Sequence, residues 1–160
     1  RLLAESGHQI LSLIAEQMSA DIVVYMPSGY SLSKIMAKRC AGVFTAQLVS
    51  GVFRKTTKLE AYEMLRRADL NGDISTTEKQ SLDYRLKKSD GFSLKNIPVS
   101  YRHLFTPLCL DPGFRGGIHG KVVLVDDLLA SGRTLSVAAN LIRQMPEVTS
   151  VEAVCLFSDV

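Results

Sequence analysis

The sequence predicts an α/β domain with a mainly parallel sheet flanked by helices. Two short apolar runs, residues 21–26 and 121–125, each pass through a loop of small residues into a stretch with helical spacing. Neither run alternates polar with apolar residues, which is the pattern of a strand buried on both faces. The 160 residues, 46% hydrophobic and 22% charged, suffice for one core and exclude wholesale disorder or a collagen-like repeat. No run of about 18 apolar residues occurs, and Arg1 to Ser6 lacks the layout of a secretory signal, so a soluble, cytoplasmic protein with no membrane partner is expected. The chain begins without Met, as a piece of a longer chain would.

Taken in order, Ile10, Leu11, Leu13, Ile14 and Met18 predict an amphipathic helix over residues 7–19. Residues 21–26 predict the first strand, which Pro27-Ser28-Gly29 ends. A helix follows on Leu32, Ile35, Met36 and Ala37, with Ser31 or Ser33 as its N-cap. The apolar run from Gly42 to Val52 predicts a second strand. Leu59, Tyr62, Met64 and Leu65 predict a helix over 58–68, and Ser75-Thr76-Thr77-Glu78 has the form of a capping box opening another helix to about Lys88. Between them, Asp69-Leu70-Asn71-Gly72-Asp73 invites a calcium reading. An EF-hand loop needs Gly at its sixth position and Glu at its twelfth, where this chain has Ile74 and Gln80, so an inter-helix turn is expected.

Residues 83–103 hold Arg85, Lys87, Lys88, Lys95 and Arg102 against Asp83 and Asp90, with Gly91 and Pro98 as interruptions, and predict a mobile basic stretch. A solvated surface loop is the plainer alternative. Residues 104–110 predict a further strand, and residues 121–125 carry the strongest strand pattern of the chain. Leu135, Ala138, Ala139 and Ile142 predict a helix over 132–145, with Pro146 just past its end, and residues 150–157 predict a last strand. The whole is expected as a single domain over 1–160 with a helical, basic insertion at about 54–103. Cys40, Cys109 and Cys155 form no CxxC pair, which argues for buried thiols rather than a disulfide framework or a zinc site. A net charge of +3 gives nucleic-acid binding no support by itself, although a local basic cluster would attract a small anion.

The segment with the most chemistry is Val122-Val123-Leu124-Val125-Asp126-Asp127-Leu128-Leu129-Ala130-Ser131-Gly132-Arg133-Thr134. It joins a buried strand to a helix through a small, hydroxyl-rich loop. Amides at a helix start have no intrahelical acceptors and the helix dipole favours an anion there, while Gly132 permits close approach and Ser131 and Thr134 add hydroxyl donors. Two adjacent carboxylates, Asp126 and Asp127, sit immediately upstream, where open α/β sheets bind ligands.

This segment resembles the signature of the type I phosphoribosyltransferase family: four apolar residues, an acidic pair, two apolar residues, then a small-hydroxyl-Gly-x-Thr loop. The resemblance implies a Rossmann-like core and a site for 5-phosphoribosyl 1-pyrophosphate. Ala130, Ser131, Gly132, Arg133 and Thr134 would cradle the 5′-phosphate, and Asp126 and Asp127 would act as catalytic residues facing the ribose 2′- and 3′-hydroxyls. The family also holds pyrophosphate in an early loop, often with an unusual cis peptide, and Ser28, Gly29 and Tyr30 occupy that place. The wider layout is most similar to the competence-associated amidophosphoribosyltransferase-like branch, over roughly residues 21–36 and 121–157.

The resemblance further implies Mg2+ on the diphosphate, no dedicated metal ligands in the chain, and a mobile loop that closes over the reacting centre, for which Arg85, Lys87 and Lys88 stand as candidates. Arg133 replaces the small residue more common at its position. A hood that selects the acceptor would come from residues 54–118, from sequence outside this chain, or be lacking. Phosphoribosyl transfer to a nitrogen nucleophile such as a nucleobase is the leading expectation. The alternative is a non-catalytic module that binds phosphoribosyl pyrophosphate or a nucleotide, as a homo-oligomer or within a larger assembly. An unrelated dinucleotide or P-loop binder is disfavoured, since no GxGxxG follows the first strand and no Walker lysine is present.

Overall fold

A computed structural model describes residues 2–29, 31–129 and 131–158. The chain forms two compact units, Arg1–Arg54 with Leu110–Val160, and Lys55–Cys109. The first is α/β. Helix α1 (Leu2–Gln17), strand β1 (Ile22–Tyr25), helix α2 (Leu32–Phe44) and strand β2 (Gln47–Val49) precede the second unit, and strand β5 (Gly120–Leu129), helix α5 (Arg133–Arg143) and strand β6 (Val148–Ser158) follow it. The four strands form one sheet in the order β2-β1-β5-β6, every neighbouring pair parallel. Strands β3 (Phe53–Lys55) and β4 (Leu108–Leu110), through which the chain leaves and returns, pair as a separate two-stranded sheet.

Continuous apolarity in β1 and β5 has its cause in this layering. Ile22, Val23 and Val24 are buried, as are Val122, Val123, Leu124 and Val125, because both faces of the sheet are covered. Each such side chain contributes about 1.5–3 kcal/mol relative to exposure. On one face Val23, Val123, Val125 and Val154 pack with Leu11 of α1 and Met36, Ala37, Cys40 and Ala41 of α2. On the other lies α5, whose apolar stripe of Leu135, Ala138 and Ile142 is buried as it packs along β5 and β6. The β1/β5 register is pinned where the strands start: the Asp21 carboxylate accepts the Lys121 N–H at 2.7 Å and the Asp21 N–H donates to the Lys121 carbonyl at 2.8 Å.

Several boundaries depart from expectation. Helix α1 starts at Leu2, and Ile10 and Leu13 are exposed while Leu11 is buried and Ile14 and Met18 pack at the edge of the core. The run from Gly42 is not a strand throughout: Val43 and Phe44 belong to the last turn of α2, which Thr45 closes in the left-handed region (φ 54°), and β2 is only three residues long. Of residues 104–110 only the last three are strand. Pro98 opens a short 3-10 turn through Leu104, and Pro107 has no N–H for a ladder. Strand β5 runs four residues beyond Val125 because β6 continues beside it, pairing Asp126 with Cys155 and Leu129 with Ser158.

The second unit is helical. Helices α3 (Lys58–Leu70) and α4 (Thr76–Lys88) both open on complete capping boxes, Thr57 with Glu60 and Ser75 with Glu78. Ala61, Leu65, Leu82, Leu86, Ile97 and Phe105 make its core. Asp69 and Leu70 end α3 and the inter-helix turn is residues 71–74, with Gly72 at φ 76° and the Asp69 carboxylate taken by Lys79 at 2.6 Å. Arg85, Lys87 and Lys88 are not the mobile loop expected of them: they form the final turns of α4, the helix expected to about Lys88. The Ser75 cap sets the start of that helix, Lys87 pairs with Asp83 at 2.6 Å, and the Lys58 ammonium donates to the Lys87 and Ser89 carbonyls at its end (3.1 and 2.9 Å). Among the described residues no helix is long and apolar enough to cross a membrane.

Candidate functional site

The connection β1–α2–β2 runs outward in one direction along the sheet, and β5–α5–β6 runs outward in the other. Strands β1 and β5 are therefore neighbours whose following helices diverge to opposite faces. That is a topological switch point, the place where open α/β sheets form their ligand crevice, at the C-terminal ends of the two strands. Strand β1 ends at Tyr25 and strand β5 at Leu129, both toward this end of the sheet. The strand ends from which the two segments singled out in the sequence continue, about a hundred residues apart in the chain, thus lie at the same end of the sheet within one unit, with β5 reaching four residues further than β1.

Helix α5 begins without a side-chain cap. Its N-cap is Gly132 in the left-handed region (φ 66°), which makes no side-chain capping bond, and the first helical bond runs from the Ser136 N–H to the Gly132 carbonyl at 2.8 Å. By helix geometry the amides of a first helical turn, here Thr134 and Leu135, find no intrahelical acceptor. Ser131 is exposed, and Gly132, Arg133 and Thr134 are half-buried at this end. Helix α2 is similar: Ser31 is its N-cap and makes no side-chain capping bond, so the predicted position holds but the predicted bond does not form. Ser33, in its first turn, is fully buried, and its hydroxyl has no hydrogen-bond partner among the described residues. Both helices of the second unit, by contrast, carry full capping boxes.

The acid pair lies inside β5, one and two residues past the point where β1 ends opposite Val125. The Val125 carbonyl accepts the Met26 N–H at 2.9 Å, the last link between the strands. In a parallel ladder alternate residues address the same neighbour, so the Asp127 N–H points toward the side that β1 has vacated. The Asp126 carboxylate accepts it at 3.0 Å, which holds that carboxylate at the crevice. Because successive side chains of a strand leave opposite faces, Asp126 belongs to the α5 side and Asp127 to the α2 side. Both are half-buried. The sequence reading placed them at a strand end; the strand in fact extends through them, since β6 pairs alongside to Ser158.

Register adds one neighbour that sequence reasoning missed. Cys155 lies directly across from Asp126 on the same face, and burial, then the Asp126 charge, pushes its thiol above the ordinary range. Only strand parity, once the β5/β6 register is known, could have found it. Ser33 was anticipated as a possible cap rather than as a buried hydroxyl beside the crevice. Of the early loop, Ser28 and Gly29 are exposed at the end of β1; Tyr30 and Ala130 lie outside the described residues. No cis peptide occurs among the described residues. Arg85, Lys87 and Lys88 belong to the other unit.

Neither a family model nor a curated protein matches the chain. Among solved structures, the chain is similar to the crystal structure of TT1426 from Thermus thermophilus, at 18% identity over 95% of this chain and 83% of that one, with a TM-score of 0.44.

Proposed function

We propose that the β1/β5 crevice binds 5-phosphoribosyl 1-pyrophosphate and that the protein transfers its phosphoribosyl group to a nitrogen nucleophile such as a nucleobase, in the manner of type I phosphoribosyltransferases. The observation that carries this reading is the convergence at one sheet edge of an acid pair and two helix N-termini without side-chain caps. Sugar and phosphate need different partners. Amides at the start of α5 suit the 5′-phosphate, those at the start of α2 and of the 28–29 loop suit the diphosphate, and carboxylates suit ribose hydroxyls.

In the reaction the nucleophile's lone pair forms the bond to C1′ as the bond from C1′ to the pyrophosphate oxygen breaks, its electron pair leaving with pyrophosphate. Positive charge develops on the ribose. Asp126 and Asp127 accept hydrogen bonds from its hydroxyls, orient the ring and stabilise that charge electrostatically. The amides hold the two anionic ends so that C1′ stays in line for displacement.

The donor set also fits Mg2+ carried on the substrate. Among the described residues no group of three or more His, Cys, Asp or Glu side chains gathers to hold an ion. Asp126 and Asp127 leave opposite faces of β5, so among the described residues this place offers one or two hard oxygen ligands rather than a cage. Mg2+ is commonly held in this way, through one or two carboxylates with substrate phosphates and water. Asp126 or Asp127 would hold it, and when bound it would neutralise the charge of the leaving diphosphate.

The test is calorimetric titration with phosphoribosyl pyrophosphate and Mg2+, followed by pyrophosphate release across a panel of nucleobases. Asp126→Asn with Asp127→Asn should weaken binding at least about tenfold or abolish turnover with little change in fold, since each half-buried carboxylate supplies a hydrogen bond to the ligand. Unchanged affinity in that variant would reject the site. Binding without turnover on any base would favour the non-catalytic module.

A further inference from the structure

The Lys55–Cys109 unit has a feature that the proposed transferase chemistry does not use. A recess of about 580 Å³ lies against one face of α4, lined by Tyr84, Arg85, Lys88, Ser89, Lys95 and Asn96. Tyr84, Arg85 and Lys88 follow one another at helical spacing on that face, and the short 3-10 turn Leu94–Asn96 brings Lys95 to it. All of the net charge of the chain resides in this unit: it holds ten Lys and Arg against seven Asp and Glu, while the rest of the chain is balanced at nine to nine.

The positive charges of the recess are uncompensated. Lys79 and Lys87 of the same helix pair with Asp69 and Asp83, whereas Arg85, Lys88 and Lys95 have no carboxylate partner among the described residues. Like charges at Arg85 and Lys88 repel across one turn, a cost to the isolated helix that an anion would relieve. The C-terminus of α4 would ordinarily repel that anion. Here the Lys58 ammonium donates to the Lys87 and Ser89 carbonyls, which sets a positive charge against the negative helix end and places a fourth cation beside Ser89. Beside the charges, Tyr84 is 66% exposed on α4, with Asn96 supplying amide donors and an acceptor at the rim.

We propose that this recess binds a nucleotide unit, its phosphate among Arg85, Lys88 and Lys95 and its base against the Tyr84 ring. The volume suits one such unit, an aromatic face stacks any base, and basic side chains take its phosphate. The site is independent of the reading given to Asp126 and Asp127.

The test uses the full chain and two probes, adenosine monophosphate and a single-stranded pentathymidylate, titrated calorimetrically at low and high salt. Lys88→Gln with Lys95→Gln should weaken either probe about tenfold or more, and Tyr84→Ala should weaken both while leaving inorganic phosphate unaffected. Asp126→Asn with Asp127→Asn should leave the binding intact, which separates this site from the switch-point crevice. Binding of the monophosphate lost in the lysine variant supports the proposal with a free nucleotide as ligand. Binding of the oligomer alone, lost in the same variant, supports it with a strand as the source. No binding of either probe, or binding indifferent to the Lys88, Lys95 and Tyr84 changes, overturns it.

Discussion

Replacing Gly132 with Ala separates the backbone of the proposed phosphate cradle from its side chains. Gly132 sits at φ 66°, where an L-residue is strained, and a Cβ built there would meet Leu129 Cδ1 at 3.5 Å, an ordinary contact. Nothing needs to move, so the cost is the left-handed conformation alone, about 1–2 kcal/mol. With a urea slope of about 2 kcal/mol per M, the unfolding midpoint should fall by about 0.5–1 M. The new methyl group would also stand where the α5 amides meet a phosphate, and losing one or two charge-assisted bonds should weaken phosphoribosyl pyrophosphate about tenfold or more. Gly72→Ala is the matched control. It carries the same kind of strain, φ 76° with nothing within 4 Å of the added atom, in the turn between α3 and α4. It should lose similar stability and keep full affinity. Urea melts and calorimetry on both variants decide the matter. Intact binding in Gly132→Ala would mean that the phosphate sits elsewhere, and a stability loss well beyond the strain estimate would mean that the turn is more tightly packed than its 3.5 Å contact implies.

Other consequences are simpler. Ser75→Ala removes one half of the α4 capping box and should destabilise the helical unit by about 1 kcal/mol in urea melts; no change would show that the Glu78 half suffices. The Tyr101 hydroxyl, with Ser75, holds the Glu78 carboxyl down at about 2 from an ordinary 4.5. A lowered carboxyl pKa adds stability above the unfolded value and loses it as pH falls through the folded one. Tyr101→Phe should thus be the less stable protein at neutral pH, with the gap closing between about pH 4.5 and about pH 2 in acid titrations followed by circular dichroism; parallel acid profiles would contradict this. Burial pushes the Cys40 thiol up to about 11, so mass spectrometry after mild alkylation should show Cys109 modified first and Cys40 only on unfolding.

Local chemistry was legible in the sequence wherever a few neighbouring residues decide the outcome. The capping box at Ser75 marks the start of α4, whose last residue is Lys88 as read from the chain. Unalternating apolar residues in 22–24 and 122–125 mark strands covered on both faces, and the loop of small residues before Thr134 marks a helix start without a side-chain cap. Where a run is simply apolar, periodicity cannot tell a helix end from a strand, so residues 42–44 were assigned to the wrong element and Thr45 decided it by turning left-handed. Arg85, Lys87 and Lys88 fell under two overlapping expectations, a helix to about Lys88 and a mobile basic stretch over 83–103; the structure takes the first, with Lys58 donating to the carbonyls at the helix end.

Taken alone, the sequence determined the kind of most elements, the order of apolar strand, acid pair, small-residue loop and helix along 122–134, and the glycine at that helix start. Only the tertiary structure decided that β1 lies beside β5, that β6 carries β5 past the acid pair, and hence that Asp126 and Asp127 leave opposite faces with Cys155 across from the first. Strand order and register come from pairing between segments about a hundred residues apart. No local residue pattern encodes which strand will be the neighbour, because that choice is made by packing both faces of the sheet at once.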